Sequence, residues 1–223
     1  MNTFSEQLRA TGAGIWEQIH AHPFVVGMGD GTLESERFAY YMVQDYLYLI
    51  EFSRLFALAA SKSEDLQTMG KFAELLHATL HVEMDLHRQY AAKFGLTPRD
   101  LETARIAPTT HAYSRHLLHT VQTGTIAEMV TAILPCQWGY HEIAVRLKEQ
   151  GGLESGSLYT EWIAMYASDE FKSLSDWLRG WLDDIAVDFS DAERRRLTEL
   201  YLTGSRYEWM FWEMAYRMEE WPV

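Results

Sequence analysis

The sequence predicts an all-α protein built as a single helical bundle. Three observations predict it. Apolar residues recur at steps of three and four over most of the chain. Only 5 prolines occur in 223 residues, so long helices run with few interruptions. The alternating β-branched runs that mark strands are scarce. With 48% hydrophobic residues, a chain of this length can bury a sizeable core, and one domain over residues 1–223 is expected.

In chain order, a first helix is expected from Phe4 to His20, with Phe4, Leu8, Ile15, Trp16 and Ile19 inward and a break at His22-Pro23-Phe24. Gly27 to Gly31 reads as a loop. A long helix follows from Ser35 to Ser61, and another from Ser63 to Gly95, where glycine suits a helix end. Leu96 to Pro108 reads as a connection and Thr109 to Thr123 as a fourth helix. Thr125 and Glu128 form a capping box that opens a fifth helix, ending at Gly151-Gly152. Shorter helices are expected at Ser157 to Phe171 and Ser173 to Ala186. A second capping box, Ser190 with Glu193, opens a last helix that runs to Met218.

There are 19 basic and 32 acidic residues, a formal net charge of −13. That balance argues against nucleic acid or an anionic membrane as partner. Residues 1–10 lack the apolar core of a signal peptide, and every apolar run is too short to span a membrane. The one cysteine, Cys136, can form neither an internal disulfide nor a Cys-rich zinc cage. A cytoplasmic protein is expected.

Residues three and four apart share a helix face, so each apolar stripe can be searched for reactive side chains. Asp45 lies among Phe38, Tyr41, Tyr48 and Phe52. Glu83 and His87 lie on the stripe of Met69, Phe72, Leu76, Leu80, Tyr90 and Phe94, spaced to pair with each other. Cys136 is central among Met129, Ile133, Tyr140 and Leu147, and Glu208 among Leu197, Tyr201, Gly204, Phe211 and Ala215. A buried carboxylate is costly unless paired or hydrogen-bonded, so four such stripes point to one polar pocket lined by aromatics. A lone cysteine on an apolar face is by itself a small core residue. Pro135 changes that reading, because proline inside a helix costs about 3 kcal/mol or more and kinks it beside Cys136. Tyr159, Trp162 and Tyr166 share a face and read as core; Trp177, Trp181 and Trp209 read as packing, and Arg194 to Arg196 as a solvated face. His77 and His81 are four apart but lack the glutamate of a zincin motif, so no metal is expected there.

The same residues carry a resemblance. His22-Pro-Phe-Val25, Gln44-Asp-Tyr-Leu-Tyr48, Leu134-Pro-Cys-Gln-Trp138 with Tyr140, Glu161-Trp-Ile163 with Tyr166, and Tyr207-Glu-Trp-Met-Phe-Trp212 resemble the TenA family, thiaminase II or aminopyrimidine aminohydrolase. The resemblance covers nearly the whole chain. It implies a bundle of the haem-oxygenase-like type without haem, assembled as a homotetramer and needing no metal or organic cofactor. The implied reaction hydrolyses 4-amino-5-aminomethyl-2-methylpyrimidine to the hydroxymethylpyrimidine with release of ammonia, in thiamin salvage; thiamin itself is a second implied substrate. Residue by residue, it implies Cys136 as nucleophile, Asp45 as the carboxylate on the pyrimidine and Glu208 as general acid. It implies Tyr48, Tyr113, Tyr140 and Tyr166 as pocket tyrosines, with Phe24 and Trp138 enclosing the ring; Phe211 is expected in the same wall, and Glu83 and His87 read from their stripe either as a buried structural pair or as residues supporting the site from behind. Gly139 is expected to leave room that a larger residue would fill. Two other readings stand beside this one: a metal- or quinone-dependent helical oxidase using Glu83, His87, His77, His81, Asp45 and Glu208, and a non-catalytic protein that sequesters thiamin pyrimidines.

Overall fold

A computed structural model describes residues 2–151 and 157–223. Its regular elements are helical, with no strand among the described residues. In chain order they are α1 (Phe4–Thr11), α2 (Ala13–His20), α3 (Pro23–Asp30), α4 (Ser35–Lys62), α5 (Leu66–Ala78), a π turn (Thr79–Glu83), α6 (Met84–Lys93), α7 (Pro98–Thr103), α8 (Pro108–Thr123), α9 (Ile126–Gln150), α10 (Thr160–Tyr166), α11 (Asp169–Ile185), a short 3-10 turn (Ala186–Asp188) and α12 (Asp191–Arg217). They fall into two compact units. One holds the residues up to Leu33 together with Val130–Glu213; the other holds Glu34–Met129 and Met214–Val223. No helix of the described residues is long and apolar enough to cross a membrane.

In the first unit, the expected opening helix is two helices. Gly12 ends α1, its N–H bonding to the Ala10 and Leu8 carbonyls, and the chain restarts as α2. The loop expected over Gly27 to Gly31 is instead the end of α3. Phe24, Val25 and Met28 are buried on it, and that burial outweighs the helix cost of its glycines. The chain leaves α3 at Gly31, with φ of 79°. Helix α9 contains Pro135 and is preceded by the expected capping box, Thr125 N–H to Glu128 at 2.8 Å and Glu128 N–H to Thr125 at 3.2 Å. It ends at Gln150, with Gly151 at φ of 63°, at the expected Gly151-Gly152 end; Gly152 lies outside the described residues. The break expected at 172 falls earlier, because the Ser168 hydroxyl caps α11 by accepting from Phe171 N–H. The Ser190–Glu193 box forms as expected. Arg194 departs from the solvated-face reading: it donates to the Ala186 carbonyl and lies over the Phe4 ring at 5.1 Å.

The second unit is centred on α4, which carries fourteen buried residues, Asp45 among them. The helix expected from Ser63 to Gly95 is broken by the π turn. The buried face runs Phe72, Leu75, Thr79 and then Met84, His87, Tyr90, so it advances five residues across the turn. An i→i+5 turn makes that advance without leaving the helix. For the same reason Met69, expected inward, is 38% exposed. The connection expected at 96–108 contains α7, opened by a Thr97–Asp100 capping box. The α7–α8 link is pinned to α4 by Gln44, which donates to the Arg105 carbonyl at 3.0 Å and accepts from Ala107 N–H at 2.9 Å.

Candidate active site

The second unit holds Asp45, Tyr48, Glu83, His87 and Tyr113. Asp45 is 2% exposed. Tyr41, one turn earlier on α4, donates its hydroxyl to Asp45 Oδ2 at 2.9 Å, and His87 Nε2 lies 2.7 Å from the same oxygen. Oδ1 takes part in neither bond. The other ring nitrogen, His87 Nδ1, is 2.8 Å from the Glu83 carbonyl. Both nitrogens therefore face acceptors, which suits a ring protonated on both. Burial works against that charge, but the bond and charge of Asp45 outweigh it and hold His87 above the usual histidine value. A raised value stabilises the fold fully below the unfolded histidine pKa and loses that contribution as pH rises through the folded one. The expected side-chain pair between Glu83 and His87 is thus corrected. Glu83 holds the ring through its main-chain carbonyl, because the π turn re-aims the following helix so that His87 reaches Asp45. Tyr48, one turn beyond Asp45, stacks on Phe52 at 5.4 Å and meets Tyr113 of α8 at 5.2 Å.

The first unit holds Phe24, Cys136, Trp138, Tyr140, Tyr166, Glu208 and Phe211. Cys136 is half-buried on α9, directly after Pro135. Helix α12 approaches that proline through Gly204. A Cβ on Gly204 would stand 2.9 Å from the Ala132 carbonyl and 3.0 Å from Pro135 Cγ, so only glycine lets the two backbones come this close. Glu208, 2% exposed, follows Gly204 by one turn on the same helix, and Phe211 by two. The close approach brings the cysteine's turn of α9 beside the stretch of α12 that leads to the glutamate.

Tyr140 shares the Cys136 face, one turn on. It stacks on Trp212 at 5.2 Å, meets Tyr166 edge-on at 5.1 Å and lies 5.8 Å from Trp162. Phe24 joins from α3, 5.4 Å from Trp212. Phe24, Tyr140 and Tyr166 are therefore brought together around Trp162 and Trp212, two residues whose roles the apolar pattern left as packing or motif. Trp138 is not brought to this cluster. Two residues from Tyr140, it points off the other side of α9, under the Arg179 guanidinium at 3.9 Å. There it lines an open cleft of about 360 Å³ with His20, His141, Glu142, Val145, Arg146 and Glu149. Glu142 accepts from Arg9 at 2.5 and 3.0 Å and pairs with His20 at 3.1 Å. Burial pushes its carboxyl up, but the His20 and Arg9 bonds outweigh that and hold it at about 2.

The expectation that Gly139 leaves a space is also corrected. A Cβ there would fall 2.0 Å from Trp16 Cη2, so the space is already filled by the indole of Trp16 from α2. His22, expected at a helix break and within the His22-Pro-Phe-Val25 motif but with no role of its own, is the N-cap of α3. A histidine cap is outside the usual Ser, Thr, Asp and Asn set, so residue type alone does not mark it. Among the described residues no group of three or more His, Cys, Asp or Glu side chains is placed to hold a metal ion.

Residues 9–218 match the family model described as TENA/THI-4/PQQC family. The chain is 48% identical to an aminopyrimidine aminohydrolase of Halalkalibacterium halodurans, over 98% of each chain. It superposes on the TenA homologue protein from P. horikoshii OT3 with a TM-score of 0.88 at 33% identity, covering 97% of this chain and 99% of that one. Haem oxygenase-1 from the cyanobacterium Synechocystis, at 14% identity and a TM-score of 0.66 over 95% of this chain and 91% of that one, shares the fold.

Proposed function

The chain belongs to the TENA/THI-4/PQQC family, and we propose on that premise that it is an aminopyrimidine aminohydrolase of thiamin salvage. It hydrolyses 4-amino-5-aminomethyl-2-methylpyrimidine to the hydroxymethyl compound and ammonia, with thiamin as a second substrate, and works as a homotetramer. The observation that carries the reading is the full-length match to a relative bearing that name. The chemistry of the residues supports it.

An aminomethyl group on an aromatic ring does not lose ammonia by simple displacement at neutral pH. Adding a thiolate to the ring carbon next to the substituted one breaks aromaticity. Cys136 makes that bond, and Glu208 protonates a ring nitrogen. The ring's electrons then expel the aminomethyl nitrogen, protonated as an ammonium at neutral pH, as ammonia, and Glu208 takes back the ring proton, leaving an exocyclic methylene. Water adds to the methylene, the thiolate departs and the aromatic ring returns. Asp45 accepts from the ring's amino group, with Oδ1 left for that bond once Tyr41 and His87 hold Oδ2. His87 fixes the carboxylate's orientation, and Glu83 fixes His87. Aromatic walls from Phe24, Tyr48, Tyr113, Tyr140, Tyr166 and Phe211 suit a flat heterocycle.

Cys136→Ser tests the covalent step. Ammonia release from the aminopyrimidine is expected to fall by about a thousandfold or more, while calorimetry shows the ligand still bound. Near-normal turnover in that variant removes the nucleophile from the scheme.

A further inference from the structure

His22 makes two hydrogen-bond contacts that one neutral form of its ring satisfies together. Its side chain is 2% exposed. Nδ1 accepts the Phe24 N–H at 3.2 Å, closing the first turn of α3. Pro23 has no N–H, so Phe24 supplies the first amide of that turn in need of an acceptor. Nε2 lies 3.2 Å from Glu213 Oε2, an acceptor when ionised, so Nε2 carries the hydrogen. Trp209 meets the ring edge-on at 5.7 Å. Glu213 and Trp209 both come from α12, and His22's own segment contributes Pro23 and Phe24.

We propose that His22 is a positioning residue for the aromatic wall of the site: its neutral Nε2–H form holds the turn that carries Phe24, and a second proton releases that turn. A proton on Nδ1 would set donor against donor at the Phe24 amide, so the cap and the charged ring exclude each other. Phe24 packs on Trp212, which stacks on Tyr140, so a loosened α3 turn reaches the ring-binding face two contacts away. The effect belongs to substrate enclosure and falls on KM more than on kcat. Burial lowers the proton affinity of His22, and the bond and charge of Glu213 oppose that fall. Glu213 therefore sets where the switch lies.

This inference rests on the proposed aminohydrolase reading for its kinetic half. The experiment follows KM and kcat for the aminopyrimidine from pH 8 to pH 5 in the wild type, His22→Asn and Glu213→Gln. It also follows the Phe24 amide and the His22 ring by NMR in the uncomplexed protein. A lost helix cap is worth about fivefold in an equilibrium constant. Wild-type KM is expected to rise by about that factor on the acid side with kcat less affected. Asparagine caps helices well and does not titrate, so His22→Asn should remove the acid rise. Glu213→Gln keeps an acceptor but removes the charge, so the midpoint should move to lower pH by about half a unit or more. A merely structural histidine would not move that midpoint. An unshifted midpoint in Glu213→Gln, an acid rise retained in His22→Asn, or a Phe24 amide that ignores the ring's titration overturns the proposal. If the wild type releases no ammonia while the Phe24 amide follows His22, the aminohydrolase reading fails and the linkage stands.

Discussion

Gly139 illustrates how tightly one residue is constrained beside the candidate nucleophile. Its missing Cβ is the space that Trp16 occupies, and any side chain there must move a buried indole. Gly139→Ala is therefore expected to destabilise the protein by about 1–3 kcal/mol, read as a lower urea midpoint, although alanine favours helix. Replacing Trp16 by a smaller residue in the same chain should recover part of that loss; no recovery would place the strain elsewhere. The sequence reading reached Cys136 and Tyr140 because they are four apart on one helix, where periodicity alone sets the face. It could not reach the Trp16–Gly139 contact, which joins two distant segments, and so it took a filled space for an empty one. His87 lies between these cases. Its burial was legible from its stripe, but its partner was not, because Asp45 belongs to another helix.

At the scale of the element, one carboxylate ties three helices together. Glu142 on α9 receives Arg9 from α1 and His20 from α2. Its folded value of about 2 is depressed from 4.5, so the stabilisation is present above the unfolded value and is lost as pH falls through the folded one. About one third of this side chain is exposed, and solvent screening reduces the contribution to about 1–2 kcal/mol. Denaturant unfolding of Glu142→Gln should show that amount missing at pH 7 and a flatter loss between pH 4.5 and 2. A variant as acid-sensitive as the parent would move the effect to other carboxylates. The long elements were legible because capping boxes mark their starts and apolar stripes their length, as at Thr125, Ser190 and throughout α4. The short ones were not. Gly12, Ser168 and the Thr97–Asp100 box divide or create helices through a few local hydrogen bonds, which an apolar pattern averages over. At α3 the error ran the other way, since three glycines outweighed Phe24, Val25 and Met28 in the reading but not in the fold.

For the whole molecule, the all-helical class followed from periodicity and scarce proline, and both units bear it out. The proposed homotetramer makes a direct prediction. Light scattering coupled to size exclusion should give four times the 25.9 kDa of one chain, and a monomer mass at micromolar protein would remove the assembly from the proposal. The net charge of −13 keeps a modest meaning at this scale: it disfavours polyanionic partners and says nothing of the fold.

The π turn ahead of α6 also acts as a phase shift. A straight α-helix turns about 100° per residue, so one residue more or fewer between Thr79 and Glu83 would swing His87 that far around the axis and leave Asp45 behind. Substitutions along this stretch change side chains one at a time; an insertion or deletion would rewrite the angular position of everything after it. The segment can thus drift in composition but not in length, and its residue count, more than any letter in it, carries the instruction that seats His87.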